Sequence, residues 1–185
     1  MPDPHEIIDQ LSPGQALAIL KTLAANDEQL ARRIAKMGTV YLSKVDAEEV
    51  ATALYDELDA LEVEEVGDRS GKTRHGYVDT GEAAYQMIEE VTEPYLERLK
   101  KCQTLGMSTE ANKLCMGLLL GLYQFDREPQ SEFKNWTTDA PGGFASSVVD
   151  AWKAGKPGRK DVTALKQFIA DELGTWEMYL VRDLS

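Results

Sequence analysis

The sequence predicts an all-α protein, antiparallel helical hairpins forming a bundle or a short α-solenoid of about seven to eight helices. Three observations carry this. Apolar residues recur three and four apart along most of the chain, as in Val50, Leu54, Leu58 and Leu61. Helix-capping residues stand in front of these stripes. Sustained period-two alternation, the mark of strands, is missing; Thr39-Val40-Tyr41-Leu42 is the one short strand candidate, and helix is preferred there.

The elements follow in order. Ser12 and Pro13 read as an N-cap and first helical residue, followed by Leu17, Leu20 and Leu23. Asp27 caps a second helix bearing Leu30, Ile34 and Met37, which Gly38 is expected to end or bend. Asp46 with Glu49, and Asp79 with Glu82, form capping-box patterns for the next two helices. Pro94 falls inside the stripe Ala84, Ile88, Val91, Tyr95 and Leu99, so a kink or break is expected near Thr92. Gly106 suits a left-handed helix end, and Ser108 is expected to cap the following helix. That helix, with Leu114 to Tyr123, is apolar nearly all round and reads as the most buried. Gly117 and Gly121 share one of its faces, which implies close approach of a neighbouring helix. Residues 126–143 read as a loop, with Phe133 and Trp136 on a short turn that packs down. Phe144 to Trp152 is a further helix, broken by Gly155-Lys156-Pro157-Gly158. Asp161 is expected to cap the last helix, which Gly174 interrupts. The chain reads as one helical domain over residues 1–185, in which 12–45 can form an N-terminal hairpin packing on a main body at 46–181. The positions Asp46, Asp79, Ser108 and Asp139 lie 33, 29 and 31 apart. That approaches a helical-hairpin period, without residue-by-residue repetition.

Composition narrows the function classes. Hydrophobic residues at 43% and charged residues at 28% are ordinary globular usage, so wholesale disorder is excluded. The net charge of −12 argues against nucleic-acid and anionic-membrane partners. The longest apolar run, Leu114 to Tyr123, is about half a membrane span. The N-terminus lacks the basic and apolar regions of a signal peptide. Cys102 and Cys115 form no metal or redox motif and suit a reducing cytoplasm.

The most unusual segment is Gly67 to Tyr77. Arg69, Lys72, Arg74 and His75 make a cationic island in an acidic chain, with Tyr77 beside them. Gly71-Lys72-Thr73 looks like a phosphate-binding P-loop tail, but Val66 stands where that motif needs its first glycine. Arg69 and His75 could hold a phosphate and move a proton, as in some helical ribonucleases. The plainer reading is an ordered loop whose Arg69 and Arg74 pair with Glu62, Glu64 and Glu65. A docking patch for an anion or an acidic partner segment is the sharper one. His5 and His75 are the only histidines, and no metal-ligand motif forms around them. No nucleophile motif appears, and Tyr123, Phe125, Phe133, Trp136, Phe144 and Trp152 read as core, with an aromatic peptide groove as the alternative.

Tyr55 to Leu61, Asp68 to Tyr77, Glu82 to Tyr85, Gly117 to Phe125 and Ser131 to Lys134 together resemble an uncharacterised prokaryotic helical family. It is similar to the helical segments that accompany SWIM-type zinc fingers. The likeness spans roughly positions 46–153, and the finger's Cys-x-Cys and Cys-x-His pattern is absent from this chain. The resemblance implies a TPR-like helical fold and a scaffolding role, and it supplies no catalytic residues.

The expectation is a non-enzymatic interaction or scaffold module with a protein partner and no cofactor, metal or membrane. Two alternatives stand beside it. One is a binder or enzyme for a small phosphate-containing ligand at residues 68–77. The other is a structural homo-oligomer formed through an aromatic or GxxxG face.

Overall fold

The computed structural model describes residues 3–73, 76–137 and 139–184. The chain divides into two compact units, Met1–Lys44 and Val45–Ser185.

The first unit contains α1 (Pro4–Asp9), α2 (Pro13–Asn26) and α3 (Glu28–Leu42). Ser12 and Gln15 close a reciprocal capping box at the start of α2, with Pro13 as its first residue. Asp27 alone joins α2 to α3. Its N–H donates to the Leu23 carbonyl at 3.1 Å and its side chain accepts from the Leu30 N–H at 3.0 Å. Gly38 neither ends nor bends α3 into a new element, and Thr39–Leu42 is helical. No described residue of this unit is buried; Ala24, Leu30, Ala31 and Ile34, close to the Asp27 joint, are half-buried.

The second unit contains α4 (Ala47–Asp59), α5 (Val63–Arg69), β1 (Gly71–Thr73), β2 (Gly76–Val78), α6 (Thr80–Thr104), α7 (Ser108–Arg127), α8 (Ala140–Ala154), α9 (Arg159–Glu172) and α10 (Glu177–Asp183). Short 3-10 turns occupy Glu132–Trp136 and Gly174–Trp176. The all-α class holds, with ten α-helices among the described residues. The surplus over the expected number lies in α1, α5 and α10. At six or seven residues each, they are too short to show a periodic stripe.

The core is built around α7, which packs on α4, α6, α8 and α9. Leu114, Leu118, Leu119, Leu122 and Phe125 are fully buried, as the all-round apolar sequence predicts. A Cβ on Gly117 would stand 2.6 Å from the Ala47 carbonyl oxygen and 2.7 Å from Val50 Cβ. On Gly121 it would stand 2.7 Å from the Ala51 carbonyl oxygen. The two glycines therefore admit the backbone of α4, and the GxxxG face is filled within the chain. Their order also fixes direction. Residue 117 meets 47 and 121 meets 51, while Lys113 donates to the Val45 carbonyl and Tyr55 donates to the Glu128 carbonyl. So α4 and α7 run parallel. Likewise α6 and α8 run parallel: Tyr85 stacks on Phe144 near their starts, and Gln103 donates to the Ala151 and Trp152 carbonyls near their ends. A solenoid stacks each repeat on its sequence neighbours. Stacked hairpins lay their first helices side by side and parallel, and their second helices likewise, so the pairs α4 with α7 and α6 with α8 fit such a stack as well as a bundle.

Several local expectations change. Helix α6 does not break at Pro94. Buried Thr92 donates its hydroxyl to the Ile88 carbonyl at 2.9 Å, and Met87, Ile88 and Leu99 anchor both halves in the same core. That burial outweighs the roughly 3 kcal/mol a mid-helix proline costs. The end of α6 is a Schellman motif: Gly106 has φ +70°, its N–H donates to Gln103, and the Met107 N–H donates to Cys102. Ser108 is the first residue of α7 and not its cap. Asp139 makes no capping bond to α8. Asp161 lies inside the first turn of α9 and accepts from the Gly158 N–H at 3.3 Å. The connection after α7 is shorter than residues 126–143, since α7 reaches Arg127 and α8 opens at Ala140. In its 3-10 turn Phe133 is buried, whereas Trp136 is 45% exposed.

Candidate functional site

The cationic segment forms a helix end and a small β-hairpin, not a loop. Helix α5 carries Arg69 at its last position. Ser70 is extended, and Gly71 has φ +97°, a conformation that strains any residue with a Cβ. Strands β1 and β2 then pair antiparallel, with Gly71 opposite Val78, Lys72 opposite Tyr77 and Thr73 opposite Gly76. Buried Val66 and half-buried Val78 fasten this segment to the core at both ends. Sequence reasoning missed the hairpin because three residues per strand are too few to show alternation.

Arg69 is held by two carboxylates. Its Nη2 lies 2.7 Å from Glu65 Oε1 and its Nη1 lies 2.8 Å from Glu90 Oε2. The hydrogen bonds to Glu90 and Glu65 raise its pKa further. Glu65 is a partner that the sequence suggested; Glu90, on α6, is one that only the fold supplies. The pair ties α5 to α6. Tyr77 is 76% exposed on β2. Arg74 and His75 lie outside the described residues, and Lys72 is described by its backbone alone. The expected site residues therefore separate into Arg69, engaged in a structural fork, and Tyr77, open to solvent.

The P-loop likeness fails on topology. A P-loop runs from a strand through its glycines into a helix, whose N-terminus receives the phosphate. Here the helix α5 comes first, and Gly71-Lys72-Thr73 is the strand β1.

Of the six aromatic side chains, Phe125, Phe133, Phe144 and Trp152 are buried. Tyr123 is half-buried, edge-on to Trp176 at 5.2 Å and beneath the Arg127 guanidinium at 5.8 Å. Next to the hairpin, Gly81, Tyr85, Trp136, Asp139 and Gly143 border an open groove. Its exposed rings are Tyr85 and Trp136.

Sequence reasoning also missed a polar cluster at the far end of α7. Asp126 and Lys134 pair at 3.0 Å, with side chains only 19% and 12% exposed. Ser146 Oγ lies 3.2 Å from Asp183 Oδ2, and Lys153 donates to the Asp183 carbonyl. The Tyr179 hydroxyl is buried without a hydrogen-bond partner. Burial, then Asp126 and Asp183, push its pKa up, so the phenol stays protonated. The cluster fastens α10 and the 3-10 turn to α7 and α8. Spacing gives no sign of it, because its members come from four separate elements.

Cys102 and Cys115 are both buried and unpaired. Burial raises both thiol pKa values, which keeps them protonated and unreactive. Among the described residues no three His, Cys, Asp or Glu groups converge as a metal site would need. No described helix is long and apolar enough to cross a membrane.

No protein-family model, curated protein or solved structure matches this chain.

Among the described residues, most of the exposed large apolar side chains lie in the first unit. Ten of its large apolar side chains are 42–76% exposed, among them Leu17, Leu20, Leu23, Met37 and Tyr41. On α3 the cations Arg32 and Lys36 lie on the other side from Leu30, Ile34, Met37 and Tyr41, while Arg33 flanks Leu30 and Met37.

Proposed function

We propose that this protein is a non-enzymatic helical interaction module, in which the body 45–185 is a scaffold and residues 1–44 are the adhesive element. One observation carries the reading. The first unit is helical and well capped, yet buries none of its described residues and exposes ten large apolar ones. Contiguous exposed apolar surface marks interaction sites. The engagement of Arg69 with Glu65 and Glu90 supports a structural role for the 68–77 segment over phosphate binding. The resemblance to segments that accompany SWIM fingers agrees with scaffolding. The unpaired thiols fit a cytoplasmic setting.

Site-specific photocrosslinking in cells tests this. A photoreactive residue at Tyr41 is expected to give crosslinked protein adducts, and one at Tyr77 far fewer. Adducts at position 77 alone would move the function to the hairpin segment, and none at either position would sink the proposal.

A further inference from the structure

We infer that the partner of residues 1–44 is a second copy of the same unit, so that two chains associate through a four-helix bundle of their α2 and α3 helices. This rests on the interaction reading above and names its partner.

The first argument is physical necessity. Helical units of about 40 residues seldom stand alone without a staple or an oligomeric partner. This unit has no cysteine and, among its described residues, none that is buried. Something must cover it if its helices persist.

The second is the pattern of what is exposed. Ala16, Leu20 and Leu23 on α2 are four and three apart, and Leu30, Ile34, Met37 and Tyr41 on α3 are four, three and four apart. That alternation is the seam of helices packing on helices at a shallow angle. The seam is half-covered near the Asp27 joint, at Ala24, Leu30, Ala31 and Ile34. Away from the joint it opens, to 72% exposure at Met37 and 76% at Tyr41. Ala16 on α2 is half-buried as well, so the pair covers its seam only in part. The same open pair from another chain presents the same seam, and a two-fold interface needs such self-complementarity.

The third is area. At roughly 200 Å² per large side chain, the exposed seam residues Leu20, Leu23, Met37 and Tyr41 amount to roughly 500 Å² per partner, which suits a small interface, a standard one burying about 800 Å². The fourth is charge. Residues 1–44 hold five acids and five bases, so the whole net charge of −12 belongs to residues 45–185. Two neutral units can meet without repulsion, whereas two bodies of that charge repel.

The test is sedimentation equilibrium of the full chain across roughly 1–100 µM, where a small interface is populated. The expected mass is twice the 20.6 kDa of one chain. Tyr41→Lys, at a position the monomer does not bury, is expected to weaken the dimer at least about 30-fold, as loss of an interface anchor does. Leu20→Asp with Met37→Asp is expected to give monomers whose body still melts cooperatively by near-ultraviolet dichroism. A monomer at every concentration overturns the inference, as does a dimer that survives both variants. The two proposals fail separately. A monomer whose position 41 crosslinks to a different protein keeps the interaction reading and removes the dimer. A monomer with no adduct at 41 removes both.

Discussion

Residues 1–44 and residues 45–185 share helix content and capping chemistry but differ in where their apolar side chains end up. In α2, Leu17, Leu20 and Leu23 are about half exposed; in α7, Leu114, Leu118 and Leu122 are fully buried. Both carry apolar residues at helical spacing, though only α7 is apolar nearly all round. The difference lies in what stands opposite. Helix α7 has α4, α6, α8 and α9 around it, and two glycines that let α4 in to backbone contact. Helices α2 and α3 cover each other only in part, with no described residue of the unit buried. Periodicity reports that a helix has an apolar face, not whether the chain itself supplies a cover.

That contrast can be broken first at paired leucines. Leu118→Ala is expected to cost about 2–5 kcal/mol in denaturant unfolding, because it opens a cavity in a closed core. Leu20→Ala is expected to leave the unfolding of the body unchanged. An equal loss at both sites would mean that α2 is covered within the chain.

Glycines offer the next comparison. Gly117→Ala places a Cβ against the Ala47 carbonyl and Val50, and should cost about 1–3 kcal/mol as α4 is displaced. Gly38→Ala meets nothing within 4 Å inside α3 and should raise helicity, gaining up to about 1 kcal/mol. Circular dichroism through the thermal transition reads both. A harmless Gly117→Ala would contradict the close contact of α4 and α7.

The Arg69 fork is a smaller probe of the body. Its guanidinium is one-third exposed, so Arg69→Ala should cost at most about 1 kcal/mol and lower Tm by a few degrees. Nucleotides and phosphosugars should leave Tm unchanged in the native chain, and a ligand-induced rise abolished by Lys72→Ala would reinstate a phosphate site.

The smallest expected effect is a pH dependence confined to the body. Burial, and then the hydrogen bond to Glu57, push the Tyr95 phenol up to about 12 from the usual 10. A group whose pKa is raised on folding contributes its stability below the unfolded value and loses it as pH climbs through the folded one. Stability should therefore fall between pH 10 and about 12, and Tyr95→Phe should flatten that fall.

Much of the secondary structure was legible because its causes are local. The capping carboxylates of Asp27, Asp46 and Asp79 act on N–H groups two or three residues away. The left-handed Gly106 turn and the break before Gly158 are equally local. The candidate site was legible only in outline. Glu65 sits one helical turn before Arg69 and could be anticipated, whereas Glu90 is 21 residues away and could not. The Asp126, Lys134, Tyr179 and Asp183 cluster left no spacing to read, since tertiary packing alone gathers it.

By itself the sequence determined the helical class, most helix limits, the burial of α7 and the need for a close neighbour at Gly117 and Gly121. Each depends on residues within one or two turns of one another. Only the tertiary structure decided that the neighbour is α4 running parallel, that Pro94 stays inside an unbroken helix, and that residues 1–44 keep their apolar face exposed. Those outcomes depend on which surfaces meet across the chain, and a helix stripe carries no address for its partner.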